Sequence, residues 1–371
     1  MRARAALTLL ACALLLAPGR SSAFHEGGVA ACAGCHVMHG LQGGAPVLGP
    51  TGEPLLLDDN ASDTCLRCHA AFGQFASGQG FGPGGDFYWV TKSWSWIAGS
   101  RSETSPGDSH GHNLEAPAYG LSRDLSRGTA PGGTFRSAEL GCTSCHDPHG
   151  NGNFRMLYGA GAGPAVMGGR FTFANPAPLA RGIGAITIPG QTTPGDETDS
   201  RHSVYKSGMS EWCANCHGLY HEAGGSGFAH PVGENLGSAQ AGQYNLYLGQ
   251  QNPGGGNVEA SWWSLVPFEA VGVDLASANP FGWTTGPGAA DRVMCLSCHR
   301  AHASPFRVAG RWDFDAALLV DAHPAPGDGG ASAADVSRRD YGYAYSTGQG
   351  TLCRKCHREV PAPGGSLPTA P

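Results

Sequence analysis

Cys32-Ala33-Gly34-Cys35-His36-Val37-Met38-His39 decides how the rest of this chain is read. Its first five residues form C-x-x-C-H, the attachment signature of c-type haem, and its last adds a second imidazole three residues on. The signature recurs at Cys65, Cys68 and His69; at Cys142, Cys145 and His146; at Cys213, Cys216 and His217; at Cys295, Cys298 and His299; and at Cys353, Cys356 and His357. Six motifs thus take 12 of the 13 cysteines, and six covalent haems are expected, numbered here one to six in chain order.

The spacing follows from the chemistry. Two cysteines on one short turn can each add to a vinyl group on one haem edge, and the next residue then places its imidazole on the iron from the proximal face. Zinc sites and thioredoxin-like redox pairs are the competing readings of paired cysteines. With 16 histidines in 371 residues, chance would put one directly after all six pairs on the order of once in a hundred million. Zinc ribbons also need pairs roughly 15–20 residues apart, whereas successive motifs start 33, 77, 71, 82 and 58 residues apart. Both alternatives fall.

The first 23 residues read as a secretory signal peptide: Arg2 and Arg4 supply the charged region, Ala5 to Ala17 an apolar run too short for a bilayer, and Ser21-Ser22-Ala23 the small residues of a cleavage site. Cys12, the cysteine outside the motifs, lies within that apolar run. No other stretch is long and apolar enough to span a membrane. Residues 24–371 are then a single elongated hexahaem domain, with 361–371 expected to be a disordered tail. Glycine and proline number 59 and 26, close to the level of poorly ordered chains, and the large apolar macrocycles account for it by supplying burial that side chains would otherwise provide. The expected fold is mostly irregular and loop-rich, with short helices carrying the motifs, few short strands, and a core formed by a chain of stacked haems. The formal charge of −6 becomes −9 without Arg2, Arg4 and Arg20, and haem propionates would add to it. Such acidity argues against nucleic acid as a partner.

Cap residues locate the helices. Ser62 or Asp63 before Cys65, Ser210 before Cys213, Asp291 before Cys295 and Thr351 before Cys353 are each placed to cap a short turn. Gly78 to Gly85, Tyr158 to Ser200, Gly249 to Asn257 and Ala322 to Gly350 read as loops. Asp58 to Asp63 begins like a calcium loop, but its sixth position is not glycine and its twelfth is His69, so it reads as a polar turn with a cap. Phe87-Tyr88-Trp89 and Trp94-Ser95-Trp96 fit a half-buried strand packed on haem better than an aromatic relay. Arg67, Arg300, Arg354 and Lys355 flank motifs and could pair with propionates, although such charges are more often solvated.

What the haems do depends on the far face of each iron, because an open position admits substrate while a second histidine leaves only electron transfer. Ten histidines remain after the six proximal ones: His25, His39, His110, His112, His149, His202, His221, His230, His302 and His323. Methionine ligands, from Met38, Met156, Met167, Met209 or Met294, are the weaker reading beside that surplus. His39, His149 and His302 each follow a proximal histidine by three residues, at haems one, three and five. Three residues reach at most roughly 11 Å, too little to round the porphyrin edge, so each should serve a different haem.

Phe24-His25-Glu26-Gly27-Gly28-Val29-Ala30, Met209-Ser210-Glu211-Trp212-Cys213-Ala214-Asn215-Cys216-His217, Pro267-Phe268-Glu269 and Cys295-Leu296-Ser297-Cys298-His299-Arg300-Ala301-His302-Ala303-Ser304 resemble the hexahaem outer-surface cytochromes that polymerise into extracellular filaments. The resemblance covers all six motifs in order and departs most over 158–200 and 305–350. It implies bis-histidine ligation by His25, His39, His112, His149, His221, His230 and His302, seven candidates for six places, with His39 completing haem five of the adjoining subunit. Counting agrees: if His302 serves haem three and His149 haem one, His39 has no preceding haem and haem five has no donor, so a head-to-tail contact satisfies both and propagates an open filament. The reading is therefore a secreted electron-transfer protein, not an enzyme, forming a homopolymer that delivers electrons to redox partners or mineral oxides. A monomeric periplasmic carrier is the alternative, and a multihaem oxyanion reductase, which needs an exchangeable iron site, a third.

Overall fold

The computed structural model describes residues 34–36, 41–42, 45–46, 56–70, 84–164, 171–182, 202–221, 232–246, 266–341 and 356. The leader, Cys32, His25, His39, His230, Thr351, Cys353, Arg354, Lys355, His357 and the tail 361–371 lie outside them.

Within the described residues the chain is a succession of loops and single turns punctuated by short helices: α1 (Ala61–His69), α2 (Cys142–Cys145), α3 (Met209–His221), α4 (Gly237–Leu246), α5 (Cys295–Cys298) and α6 (Ala333–Arg338). Strands pair only in twos, all antiparallel: β1 (Leu41–Gln42) with β2 (Ala45–Pro46), β3 (Trp94–Ala98) with β4 (Arg101–Ser105), and β5 (Leu179–Arg181) with β6 (Val204–Ser207). Four motifs sit on helices, α1, α2, α3 and α5, as a two-residue spacing on one turn requires.

Local chemistry explains where these helices begin, and it corrects the expected caps. Asn60 caps α1, its Oδ1 accepting the Asp63 amide at 2.8 Å, and Asp63 near the N-terminus with Arg67 and His69 in the last turn suits the helix dipole. Ser62 and Asp63 lie inside the helix, where Asp63 also accepts the Ala118 amide at 3.1 Å. The N-terminus of α3 is held by Glu269, whose Oε1 accepts the Met209 amide at 2.9 Å, so Ser210 is likewise internal. At α5 the cap position is Met294, whose amide donates to Ser297 Oγ at 3.1 Å. Asp291 instead accepts the amides of Val271 and Gly288.

Two expected loops contain structure. The stretch after Tyr158 supplies β5, and Ala322 to Gly350 holds α6, capped by Ser332 and Asp335 bonding each other's backbone amides. The aromatic run divides into a single-turn helix (Phe87–Thr91) and β3, and Trp89 and Trp94 are buried with Ala303 and Tyr341. The core as a whole is fragmented. Small clusters form around individual attachment residues: Leu66, Leu114 and Leu121 beside Cys142; Tyr205, Met209 and Met294 beside Cys213; Tyr244, Phe268 and Trp312 beside Cys298 and Cys356.

Replacing Asn60 by Ala is expected to cost about 1 kcal/mol, seen as a lower denaturant midpoint of the haem-loaded protein. An unchanged midpoint would show that the cap contributes nothing.

Candidate haem-binding sites

Consecutive motifs are brought against one another in chain order. Cys35 lies close enough to Cys65 for their charges to interact, as Cys145 does to Cys216. The Cys65 and Cys142 thiols are in hydrogen-bond contact, as are those of Cys213 and Cys295, and Cys298 and Cys356 pack on one apolar cluster. The two thiol pairs are built identically. Ser62, three residues before Cys65, accepts the Cys142 amide at 3.2 Å, and Ser210, three before Cys213, accepts the Cys295 amide at 3.1 Å. The serines that resemble caps in the sequence thus tie motif two to motif three and motif four to motif five. Burial pushes the Cys145 and Cys216 thiols up to about 12, the opposite of an activated redox cysteine.

Three of the expected proximal histidines share one arrangement. His146 donates from Nδ1 to Arg155 O, His299 to Val308 O and His217 to Pro131 O, each at 2.8 Å. Arg155 and Val308 adopt left-handed backbone, φ 49° and 53°, a conformation costly for a side-chain-bearing residue and least expected for β-branched Val. It turns the carbonyl onto the imidazole. With Nδ1 committed, Nε2 is the unprotonated nitrogen, as an iron ligand requires.

Opposite rings meet in three pairs. His36 and His149 have centroids 6.1 Å apart, His146 and His302 6.2 Å, and His112 and His217 6.0 Å. These are too distant for stacking in contact, but two imidazoles bound to one iron at about 2 Å each have centres roughly 6 Å apart. His112 and His302 are oriented like the proximal rings, donating from Nδ1 to Ala301 O at 2.6 Å and Gly85 O at 3.1 Å. Burial lowers His112 to about 4 and His302 to about 3, keeping both neutral at physiological pH. His221 has a buried Nε2 with no hydrogen-bond partner, 3.9 Å from Glu211 Oε1. The donor set fits haem.

Two other histidines, His110 and His323, serve structure. His110 is fully buried and uses both nitrogens, Nδ1 donating to Trp89 O at 2.9 Å and Nε2 accepting from Ser105 Oγ at 2.8 Å, with its ring stacked on Trp94. His323 lies 3.9 Å over Trp96 and bonds Asp328 at 2.7 Å. His202 is buried, and its amide donates to Pro280 O at 3.1 Å. Among the flanking cations, Arg67 reaches Asp58 at 3.4 Å and stays part-exposed, whereas Arg300 is buried, its guanidinium 4.0 Å from the Tyr341 ring centre. The backbone acceptors Ala301, Arg155, Val308, Pro131 and Gly85 left no mark in the sequence, since a carbonyl carries no residue type.

One stretch serves several sites. His299 is proximal in motif five, His302 faces His146, and Ala301 O orients His112, whose amide also donates to His302 O at 2.9 Å. Gly111 makes the approach possible, since a Cβ there would overlap His302 O and the Ala303 backbone.

No family model matches the chain. It is 32% identical to the C-type cytochrome OmcS of Geobacter sulfurreducens, in an alignment spanning 95% of this chain and 98% of that protein. Two solved structures are similar: the outer membrane cytochrome S filament of Geobacter sulfurreducens, at TM-score 0.73 and 31% identity, and a cryo-EM structure of OmcS nanowires from the same organism, at TM-score 0.72 and 30% identity. Each comparison covers 91% of this chain and all of the other.

His110→Ala is expected to destabilise the fold by roughly 2 kcal/mol, having left two buried partners unsatisfied, while every iron stays low-spin. His112→Ala should open a single iron to carbon monoxide. Gly111→Ala should disturb two irons together, where Gly128→Ala, which meets open space, disturbs none. Optical spectra with and without carbon monoxide check all four, and the roles of His110 and His112 are reversed if the first variant gains the carbon monoxide adduct.

Proposed function

We propose, from the premise that this chain belongs to the OmcS-type c-type cytochromes, that it is a secreted six-haem protein whose subunits join head to tail into an extracellular electron-conducting filament. The observation that carries this is the succession of neighbouring attachment sites in chain order, from Cys35 through Cys65, Cys142, Cys145, Cys216, Cys213, Cys295 and Cys298 to Cys356. Tunnelling falls steeply with distance, so a conductor needs no gap in that sequence. Haem iron supplies one-electron chemistry, and two histidine ligands confine it to electron transfer.

The ring separations support His36 with His149 for haem one, His146 with His302 for haem three, and His217 with His112 for haem four. Each odd haem is then completed by the third-position histidine of the next odd motif. Haem five has no such motif after it, and His39 of an adjoining subunit takes the place. Haem four draws its ligand from the segment between motifs two and three. The same step backwards gives His25 for haem two, and forwards gives His221 or His230 for haem six. The acceptors at the filament's end are redox partners or mineral oxides. No helix among the described residues is long and apolar enough to cross a membrane.

His39→Ala should retain six haems, since no attachment residue changes, yet fail to polymerise and bind carbon monoxide at one haem. His149→Ala should open haem one in a subunit that still assembles through its haem five. Electron microscopy and carbon monoxide difference spectra decide it: filaments of normal length from His39→Ala, with every iron low-spin, would remove the inter-subunit ligand.

A further inference from the structure

Backbone pairing lays three stretches of the chain on one template. His36 bridges Leu56, His146 bridges Leu157 and His299 bridges Gly310. One residue further on, the amides of Leu57, Tyr158 and Arg311 donate to Cys35 O, Cys145 O and Cys298 O at 2.9, 3.1 and 2.8 Å. In the second and third copies the residue three before that amide is the left-handed one whose carbonyl meets the proximal Nδ1. Two side-chain positions therefore lie beside haems three and five, and one described position beside haem one.

The same two positions are filled differently. Haem three has Arg155 and Tyr158, haem five has Val308 and Arg311, and haem one has, at the second position, Leu57 followed by Asp58 and Asp59. Haems three and five each receive one arginine, from opposite positions of the template, and the described position at haem one carries none. Both guanidinium groups are held in place. Arg155 Nη2 donates to Ser203 Oγ at 3.4 Å beside the Phe154 ring, and Arg311 Nε donates to Leu296 O. Both side chains start beside an attachment site: Arg155 is the residue whose carbonyl meets His146 Nδ1 at 2.8 Å, and Arg311 the one whose amide meets Cys298 O at 2.8 Å. A fixed cation beside an iron favours the ferrous form, which carries one positive charge less, and low dielectric strengthens the effect.

We infer that Arg155 and Arg311 set redox potential, raising haems three and five above haem one so that the haem chain within each subunit is stepped rather than level. This rests on the haem attachments and axial pairs proposed above, including His39 of an adjoining subunit at haem five. The test is spectroelectrochemical titration of the haem-loaded protein. Arg155→Met should move one of six components to lower potential, Arg311→Met a different one, and the double variant two, while Arg155→Lys, which keeps the charge, should titrate like the parent. Exposed Arg101→Met on the β3–β4 hairpin should move none. Wild-type titration by both Arg155→Met and Arg311→Met overturns the inference, as does an Arg155→Lys shift equal to that of Arg155→Met. Haem count and low-spin spectrum are read on the same samples: fewer than six haems in the parent would fail the functional reading, whereas six haems with unmoved potentials fail only this one. Should Arg155→Met not load, Arg311→Met and the lysine variant give the same decision.

Discussion

A hydrogen bond from imidazole Nδ1 to a backbone carbonyl is the interaction on which the sites depend. It fixes the tautomer, aims Nε2 and holds the ring against rotation, and His112, His146, His217, His299 and His302 all make it. The requirement falls on the backbone and not on side chains, which explains why so little regular structure surrounds the rings. A helix or sheet consumes its own carbonyls, whereas a loop can turn one outward. The left-handed residues Arg155 and Val308 show that a side-chain-bearing residue is forced into strain to do it.

The second organising feature is reuse. Ser62 with Cys65 and Cys142, and Ser210 with Cys213 and Cys295, are two copies of one junction, with an even motif on a longer helix bonded to an odd motif on a single turn. Such a unit needs neither a large shared core nor long-range strand pairing. Apolar side chains collect in small groups around attachment cysteines, and the two longest described strands, β3 and β4, form a simple hairpin. Glycine and proline in abundance are then an adaptation to following the edges of large rigid discs.

The loop-rich class was legible because covalent attachment dictates residue type and spacing together, and six such motifs in a glycine- and proline-rich chain leave room for only short elements. Ligand choice was less so. His110 and His112 stand two residues apart in similar sequence, and only Trp89 O and Ser105 Oγ, which occupy both nitrogens of one, separate their roles. The caps were misjudged for a related reason: Ser62 and Ser210 have the right residue type and distance, but their hydroxyls serve the amide of another motif some eighty residues away. Arg300 was expected in solvent, and the ring of Tyr341 covers it. Helix α6 was visible in Ser332 and Asp335, yet was outweighed by the glycine, alanine and proline around it.

The five residues from His299 to Ala303 have a mechanical consequence. They contribute to the ligation geometry at motif five, at His146 and at His112, and Ala303 is clamped by bridges to Gly85 and Gly111. Conductors in series are limited by their worst joint, and independent thermal jitter at each joint would widen some gaps while closing others. Because one short stretch touches the histidines of three motifs' surroundings, any displacement of it is transmitted to all of them together and not to one alone.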